Sequence, residues 1–312
     1  MNSPAANYRG RFAPSPTGPL HFGSLVAAVA SFLNARSSQG AWLVRIEDLD
    51  PPREQPEAAD GILRVLEACG LHWDESVLYQ STRTDRYRDV VQTLVTDGFA
   101  YPCTCSRSDI AQHQANAGSG AGQIYPGLCR SGPRNPEQPS AIRLRAGDVE
   151  IAIEDRIQGH YRQHLPSAVG DFVLWRKDGL PAYQLAVVID DADQGITEVC
   201  RGVDLLDNTP RQVFLQQVLR LPRPEYAHFP VVLGASGEKL SKQTGALAVD
   251  PIHANAAIEL ALGFLGLSLP EGLHAAPAAE TLAWASRVWV PESLQGQLSR
   301  PYPASHILAA AQ

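Results

Sequence analysis

GRFAPSPTGPLHFGS, residues 10–24, joins a strand end, a turn and a helix start in one phrase. Residues 7–13 read as a short strand. Pro14 and Pro16 push Ala13 and Ser15 toward extended backbone, and Gly18 and Pro19 continue the loop. A helix is expected from about Gly23, because Leu25, Val29, Phe32 and Leu33 share one face. Its other positions are mostly Ala and Ser, so it can pack closely on a sheet. Gly40 ends the connection, and WLVRI (42–46) reads as a buried strand running into Glu47, Asp48, Leu49 and Asp50. Strand, loop, helix, strand is the order of a parallel α/β sheet.

Working outward, helices are expected near 56–69 and 82–98. From Tyr101 to Leu180 the texture changes to Gly- and Pro-rich loops with short strands, which reads as an inserted unit. Regular α/β texture returns at Tyr183, with Leu185–Ile189 expected as a strand. Thr209, Pro210 and Gln212 suit an N-cap, a first-turn proline and a third-position capping partner, opening a helix to about Leu221. Residues 229–245 are expected to hold a strand and a flexible loop, and 246–312 to be helical.

The chain has 312 residues, enough for more than one structural unit and a large core. Apolar residues make up 44% and charged residues 19%, which excludes global disorder. No apolar run reaches the ~20 residues of a helical membrane span. Residues 1–11 lack a signal pattern, so the expected compartment is the cytoplasm. The net charge of −7 argues against a broadly basic nucleic-acid surface, although a local positive groove would be enough. Lys177, Lys239 and Lys242 are the only lysines among 26 basic residues.

Two segments suit phosphate. The helix after His21 offers unpaired N–H groups and a partial positive charge, and His21 can donate to a phosphate oxygen. An ordinary loop with a surface histidine is the alternative. The second segment is KLSKQ (239–243), near Gly234, Gly237 and Gly245. Its two ammonium groups could close over a polyphosphate, or form a solvated turn.

The five cysteines are Cys69, Cys103, Cys105, Cys129 and Cys200. An odd number in a reducing compartment argues against disulfides. Cys103, Cys105 and Cys129 with one more donor could make a tetrahedral zinc site, with Pro102 and Gly127 favouring the turns. Tyr125 is an unusual donor, since its phenol titrates near pH 10. His113 is the more ordinary one, and three free buried thiols are the third possibility. Cys69 and Cys200 read as buried apolar fillers.

The phrases GRFAPSPTGPLHFGS and KLSKQ resemble the "HIGH" and "KMSKS" regions of the glutamate-specific branch of class I aminoacyl-tRNA synthetases. WLVRIEDLDPPR (42–53), PAYQLAVVIDD (181–191) and ITEVCRGVDLLDNTPRQ (196–212) support it, so the resemblance spans about residues 8–245. It departs from the ideal motifs at Phe22, Ser24, Leu240 and Gln243. The fold it implies is an α/β class I Rossmann-like parallel sheet with an inserted zinc-containing subdomain and a C-terminal helical stem-contact region. The corresponding segments are 1–80, 81–180, 181–238 and 239–312. Only 69 residues follow Gln243, too few for the anticodon-binding region of the full glutamyl enzymes. The chain is thus similar to the short members of the branch, which attach glutamate to the queuosine base of tRNA(Asp). Cys103-x-Cys105 and Tyr125-x₃-Cys129 match the zinc site of those members.

The resemblance also implies roles. Arg11 and Arg201 would hold the glutamate carboxylates, Ser15 would add a hydroxyl contact, Glu47 would meet the ammonium, and Tyr183 would orient the substrate. His21 and Ser24 would bind ATP phosphates, with magnesium on the ATP. Lys242, helped by Lys239, would neutralise charge as pyrophosphate leaves. The partners implied are ATP, L-glutamate and queuosine-bearing tRNA(Asp), with no membrane and a monomeric state. A conventional short glutamyl-tRNA synthetase and an idle RNA-binding paralogue are the alternatives. Glu198, close to Arg201 in sequence, has no role in this reading.

Overall fold

A computed structural model describes residues 8–116, 124–234, 237–240, 248–274 and 276–303. The first half contains β1 (Arg9–Phe12), α1 (Phe22–Ser37), β2 (Ala41–Ile46), α2 (Ala58–Ala68), β3 (Leu78–Tyr79) and α3 (Thr84–Thr96). The middle contains β4 (Ala100–Cys103), α4 (Arg107–Asn116), β5 (Ala141–Leu144), β6 (Glu150–Asp155), β7 (Gly159–His164), α5 (Leu165–Ala168) and β8 (Val173–Trp175). Then come α6 (Tyr183–Asp193), β9 (Glu198–Gly202), α7 (Thr209–Leu219), β10 (Glu225–Phe229) and β11 (Val231–Leu233). The chain closes with α8 (Ala254–Phe264), α9 (Ala278–Val288) and β12 (Ser299–Pro301).

β1, β2 and β3 pair in parallel, and so do β9, β10 and β6, with β7 antiparallel at the outer edge. The two groups meet at β1 and β9: the Thr197 amide donates to the Arg9 carbonyl at 2.9 Å. From that seam the chain winds one way through β2 and the other way through β10. A doubly wound parallel sheet opens its ligand crevice at such a point, beyond the C-terminal strand ends.

Helix α1 lies between this sheet and helices α8 and α9. That explains why Leu25, Val26, Ala28, Val29, Ala30 and Leu33 are fully buried on more than one face. Each large apolar side chain buried so contributes ~1.5–3 kcal/mol. Gly40 closes the crossover, where a Cβ would stand 2.3 Å from the Tyr8 carbonyl oxygen.

Antiparallel β4, β5 and β8 form a separate small sheet. It carries its own core of Tyr101, Cys103, Cys105, Ile110, Tyr125 and Cys129. No helix among the described residues is long and apolar enough to cross a membrane.

Three local expectations are corrected. Leu185–Ile189 is part of helix α6, not a strand. The run is apolar because α6 is covered on several sides, and a short buried run has the same pattern in either element. Thr209 is the first residue of α7 rather than its N-cap, because its hydroxyl is taken by Arg201 at 2.9 Å. The tail is not helical throughout, since β12 runs parallel to β11.

Candidate active site

A cleft of about 670 Å³ opens at the C-terminal ends of β1, β2, β9 and β10. Arg11, Ser15, His21, Ser24, Glu47, Tyr183, Arg201 and Lys239 all line it. Residues more than 200 positions apart in sequence therefore share one cleft. Lys242 lies outside the described residues.

His21 caps α1. Its Nδ1 accepts from the Ser24 amide at 3.3 Å, and Ser24 Oγ lies 3.1 Å from Nε2. The first turn of α1 holds no acidic side chain, which leaves the helix end favourable to anions. The Val249 amide donates to the Leu20 carbonyl, and His21 bridges to Ala248. A Cβ on Gly23 would sit 3.6 Å from the Leu240 carbonyl. The helix start and the described part of the lysine segment thus adjoin. Lys239 Nζ forms an ion pair with Asp204 at the cleft wall.

The two arginines differ in their partners. Arg11, 4% exposed, donates Nε and Nη2 to Asp191 at 3.0 and 3.3 Å. Asp191 also accepts from fully buried Arg45 Nη1 at 2.8 Å. Burial opposes the Asp191 charge, but Arg11 and Arg45 hold its carboxyl below the ordinary value. Arg201, 5% exposed, has only neutral hydrogen-bond partners among the described residues. They are His228 Nε2 (3.0 Å), Tyr183 Oη (3.4 Å), Thr209 Oγ1 (2.9 Å), Gln212 Oε1 (2.8 Å) and the Leu205 carbonyl (3.5 Å). Its charge is therefore not cancelled by an adjacent acid.

Glu47 follows the end of β2, its side chain 9% exposed and its Oε1 3.4 Å from Arg45 Nη2. Burial pushes its carboxyl up, against the pull of Arg45 and Arg11. A cation arriving in the cleft would supply the missing compensation. Tyr183 presents its ring at the rim, 37% exposed, while its hydroxyl reaches Arg201.

Several residues that build this site were not expected from sequence: Arg45, Asp190, Asp191, His228 and Asp155. Asp190 ties α6 to α3 by accepting from Arg83, Gln80 and Tyr87, each at 2.7 Å. Burial holds the His228 imidazole below its ordinary value, although Asp155 pulls the other way. A guanidinium inside the apolar WLVRI strand was the available signal for Arg45, and the Asp190–Asp191 doublet the signal for its partners. Glu198 is buried against Arg156 Nη1 and Asn34 Nδ2, each at 2.5 Å. Its position is explained by those partners rather than by Arg201.

The cysteine knuckle stands apart, in the small antiparallel sheet. The sulfurs of Cys103, Cys105 and Cys129 lie within 4.8 Å of one another and are buried. Tyr125 Oη is 3.2 Å from Cys103 Sγ and 3.8 Å from Cys105 Sγ, and Cys105 Sγ is 3.5 Å from Cys129 Sγ. Four ligands in tetrahedral array around zinc stand about 3.3–3.8 Å apart, given zinc bond lengths of about 2.0–2.3 Å. The buried three-sulfur group is compatible with that ion. His113 is exposed on α4 and is not among the grouped ligand atoms. Burial opposes the Cys129 thiolate, but the Tyr125 hydroxyl and the Arg134 and Thr104 amides outweigh it and lower the thiol to about 6. Gly170, at φ +69°, pairs with Tyr125, and a Cβ there would meet the Tyr125 carbonyl oxygen at 2.3 Å. Cys69 and Cys200 are buried, as expected of fillers.

The family model for "tRNA synthetases class I (E and Q), catalytic domain" matches residues 7–258. The chain belongs to this family. As a member of the class I tRNA synthetases it is a ligase. The glutamyl-Q tRNA(Asp) synthetase of Dechloromonas aromatica (strain RCB) is 53% identical over 297 residues, 95% of this chain and 98% of the relative. That of Methylococcus capsulatus is 52% identical over 93% and 94% of the two chains. A crystal structure of a glutamate tRNA ligase from Elizabethkingia meningosepticum, in complex with its amino acid, superposes with a TM-score of 0.80 at 26% identity. It covers 96% of this chain and 68% of that longer one.

Proposed function

We propose that the chain activates L-glutamate with ATP to glutamyl-adenylate and transfers the glutamyl group to the queuosine base of tRNA(Asp). Relatives named glutamyl-Q tRNA(Asp) synthetase match the chain over nearly their whole lengths, which supports this reading. The observation that carries the reading is the charge pattern of the cleft. Arg11 and Arg201 supply planar donors for two carboxylates, and half-buried Glu47 supplies an acceptor for one ammonium, beside the anion-ready start of α1. An α-amino dicarboxylate matches this pattern.

In this reading the α-carboxylate oxygen of glutamate attacks the α-phosphorus of ATP, and the bond to pyrophosphate breaks. His21, Ser24 and the lysine pair Lys239 and Lys242 take the phosphate charge, with magnesium bound to the nucleotide. No general base is needed, because the substrate carboxylate is itself the nucleophile. Catalysis is positioning plus preorganised charge. A hydroxyl of queuosine then attacks the acyl carbon, and AMP leaves. Arg201 selects the side-chain carboxylate, Arg11 and Ser15 steady the other polar groups, and Tyr183 orients the ligand. Cys103, Cys105, Cys129 and Tyr125 hold one structural zinc, which organises the small sheet.

ATP–pyrophosphate exchange tests the activation step. Glutamate should support saturable exchange, glutamine and aspartate should not, and Lys242→Ala should abolish it. Absence of exchange with glutamate, with or without tRNA, would overturn the reading.

A further inference from the structure

His228 sits on β10 directly beside Arg201 of β9 in the parallel register. Arg201 Nε donates to His228 Nε2 at 3.0 Å. A guanidinium only donates, so Nε2 is an acceptor and the imidazole proton sits on Nδ1. That Nδ1–H points to Asp155 Oδ2 at 2.5 Å. The other oxygen of Asp155 accepts the amides of Ile157, Gln158 and His228 at 3.0, 2.8 and 3.1 Å. Asp155 and His228 are both buried, at 4% and 0% exposure. The carboxylate is thus fixed by backbone, fixes the tautomer, and the tautomer presents a neutral acceptor to the arginine.

This arrangement does two things that a direct acid could not. It locks the guanidinium on its Nε edge, while Thr209 and Gln212 lock Nη2. It also keeps the Asp155 charge one ring away from Arg201, so no carboxylate hydrogen-bonds the arginine among the described residues and its charge remains unneutralised toward the cleft. Arg11, held directly by Asp191, shows the opposite solution in the same site.

We infer that His228, oriented by Asp155, is a positioning residue that holds Arg201 rigid and charged, so that the cleft takes a side-chain carboxylate and rejects its neutral amide. The inference rests on the proposed role of Arg201 in binding glutamate. Asp155→Asn is the sharpest test. The asparagine Oδ1 can still accept the backbone amides, but its Nδ2 donates toward His228 Nδ1. The imidazole proton then moves to Nε2, where it faces the Arg201 Nε–H.

Exchange kinetics of the full chain give the readout. Asp155→Asn and His228→Ala should each raise KM for glutamate at least tenfold while KM for ATP stays within twofold. Each should lower the preference for glutamate over glutamine by a similar factor. His228→Gln, which can offer a neutral oxygen to Arg201 Nε, should recover most of the loss. A merely structural role would lower thermal stability without separating the two KM values. The inference is overturned if folded Asp155→Asn keeps the wild-type KM and preference, or if His228→Gln is no better than His228→Ala. If Arg201→Ala itself leaves KM for glutamate unchanged, the underlying reading of the site falls and takes the inference with it.

Discussion

The cleft and the cysteine knuckle are both buried polar sites, yet they are built in opposite ways. The cleft collects side chains from β1, β2, α6, β9 and β10, brought together by a parallel sheet. Its charges are balanced in layers, with Asp191 between Arg11 and Arg45, and Asp155 behind His228. The knuckle draws three thiols and a phenol from one stretch of 27 residues, around a small antiparallel sheet. The cleft is held by many hydrogen bonds to charged groups, the knuckle by a few soft donors around one point. Losing one contact should therefore spread through the first region and stay local in the second.

The largest effect should follow removal of Asp191. Asp191→Ala leaves the buried Arg11 and Arg45 without their shared carboxylate, which should cost about 3–5 kcal/mol of stability in urea unfolding. Because the Asp191 pKa is lowered in the fold, its contribution is fully present above the ordinary carboxylate pKa. It is lost as the pH falls through the depressed folded value. The wild type should therefore lose stability on acidification more steeply than the variant.

Arg201→Ala comes next. Loss of one preorganised charge contact should raise the activation barrier by about 2.7–4 kcal/mol, read as kcat/KM for glutamate in exchange. Its stability effect should be smaller than that of Asp191→Ala, since only neutral groups lose a partner.

On the knuckle side, Gly170→Ala forces a Cβ against the Tyr125 carbonyl and strains a positive φ. It should cost about 1–3 kcal/mol and loosen zinc, as measured by metal content after chelator challenge. Cys105→Ser should lose stoichiometric zinc, and both variants should keep KM for glutamate within about twofold. A full zinc complement and unchanged stability in Cys105→Ser would break the comparison, because the knuckle would then need no metal.

The smallest effect is expected at His113. His113→Ala should keep its zinc and change stability by less than about 0.5 kcal/mol, as for ordinary surface positions.

Much of this was legible in the sequence, for different reasons in the two regions. The β1–α1–β2 unit was readable because its signals are local: Pro14 and Pro16 in the turn, a helical apolar face, and a buried strand at WLVRI. The grouping of Cys103, Cys105 and Cys129 was readable from cysteine spacing, while the fold was needed to see that the Tyr125 hydroxyl, and not His113, lies beside their sulfurs. Helix α6 was misread because burial on several sides erases periodicity. Arg45, Asp155 and His228 were missed because their meaning lies in partners 27 to 146 positions away, and no local pattern records such pairing. The same holds for Glu198, whose partners Asn34 and Arg156 lie 164 and 42 positions away.

Transfer of labelled glutamate, with ATP, in one reaction holding queuosine-bearing tRNA(Asp), tRNA(Asp) lacking queuosine, and tRNA(Glu) tests the central claim most directly. The account predicts label on queuosine-bearing tRNA(Asp) alone. Label on tRNA(Glu), or equally on tRNA(Asp) without queuosine, would contradict it.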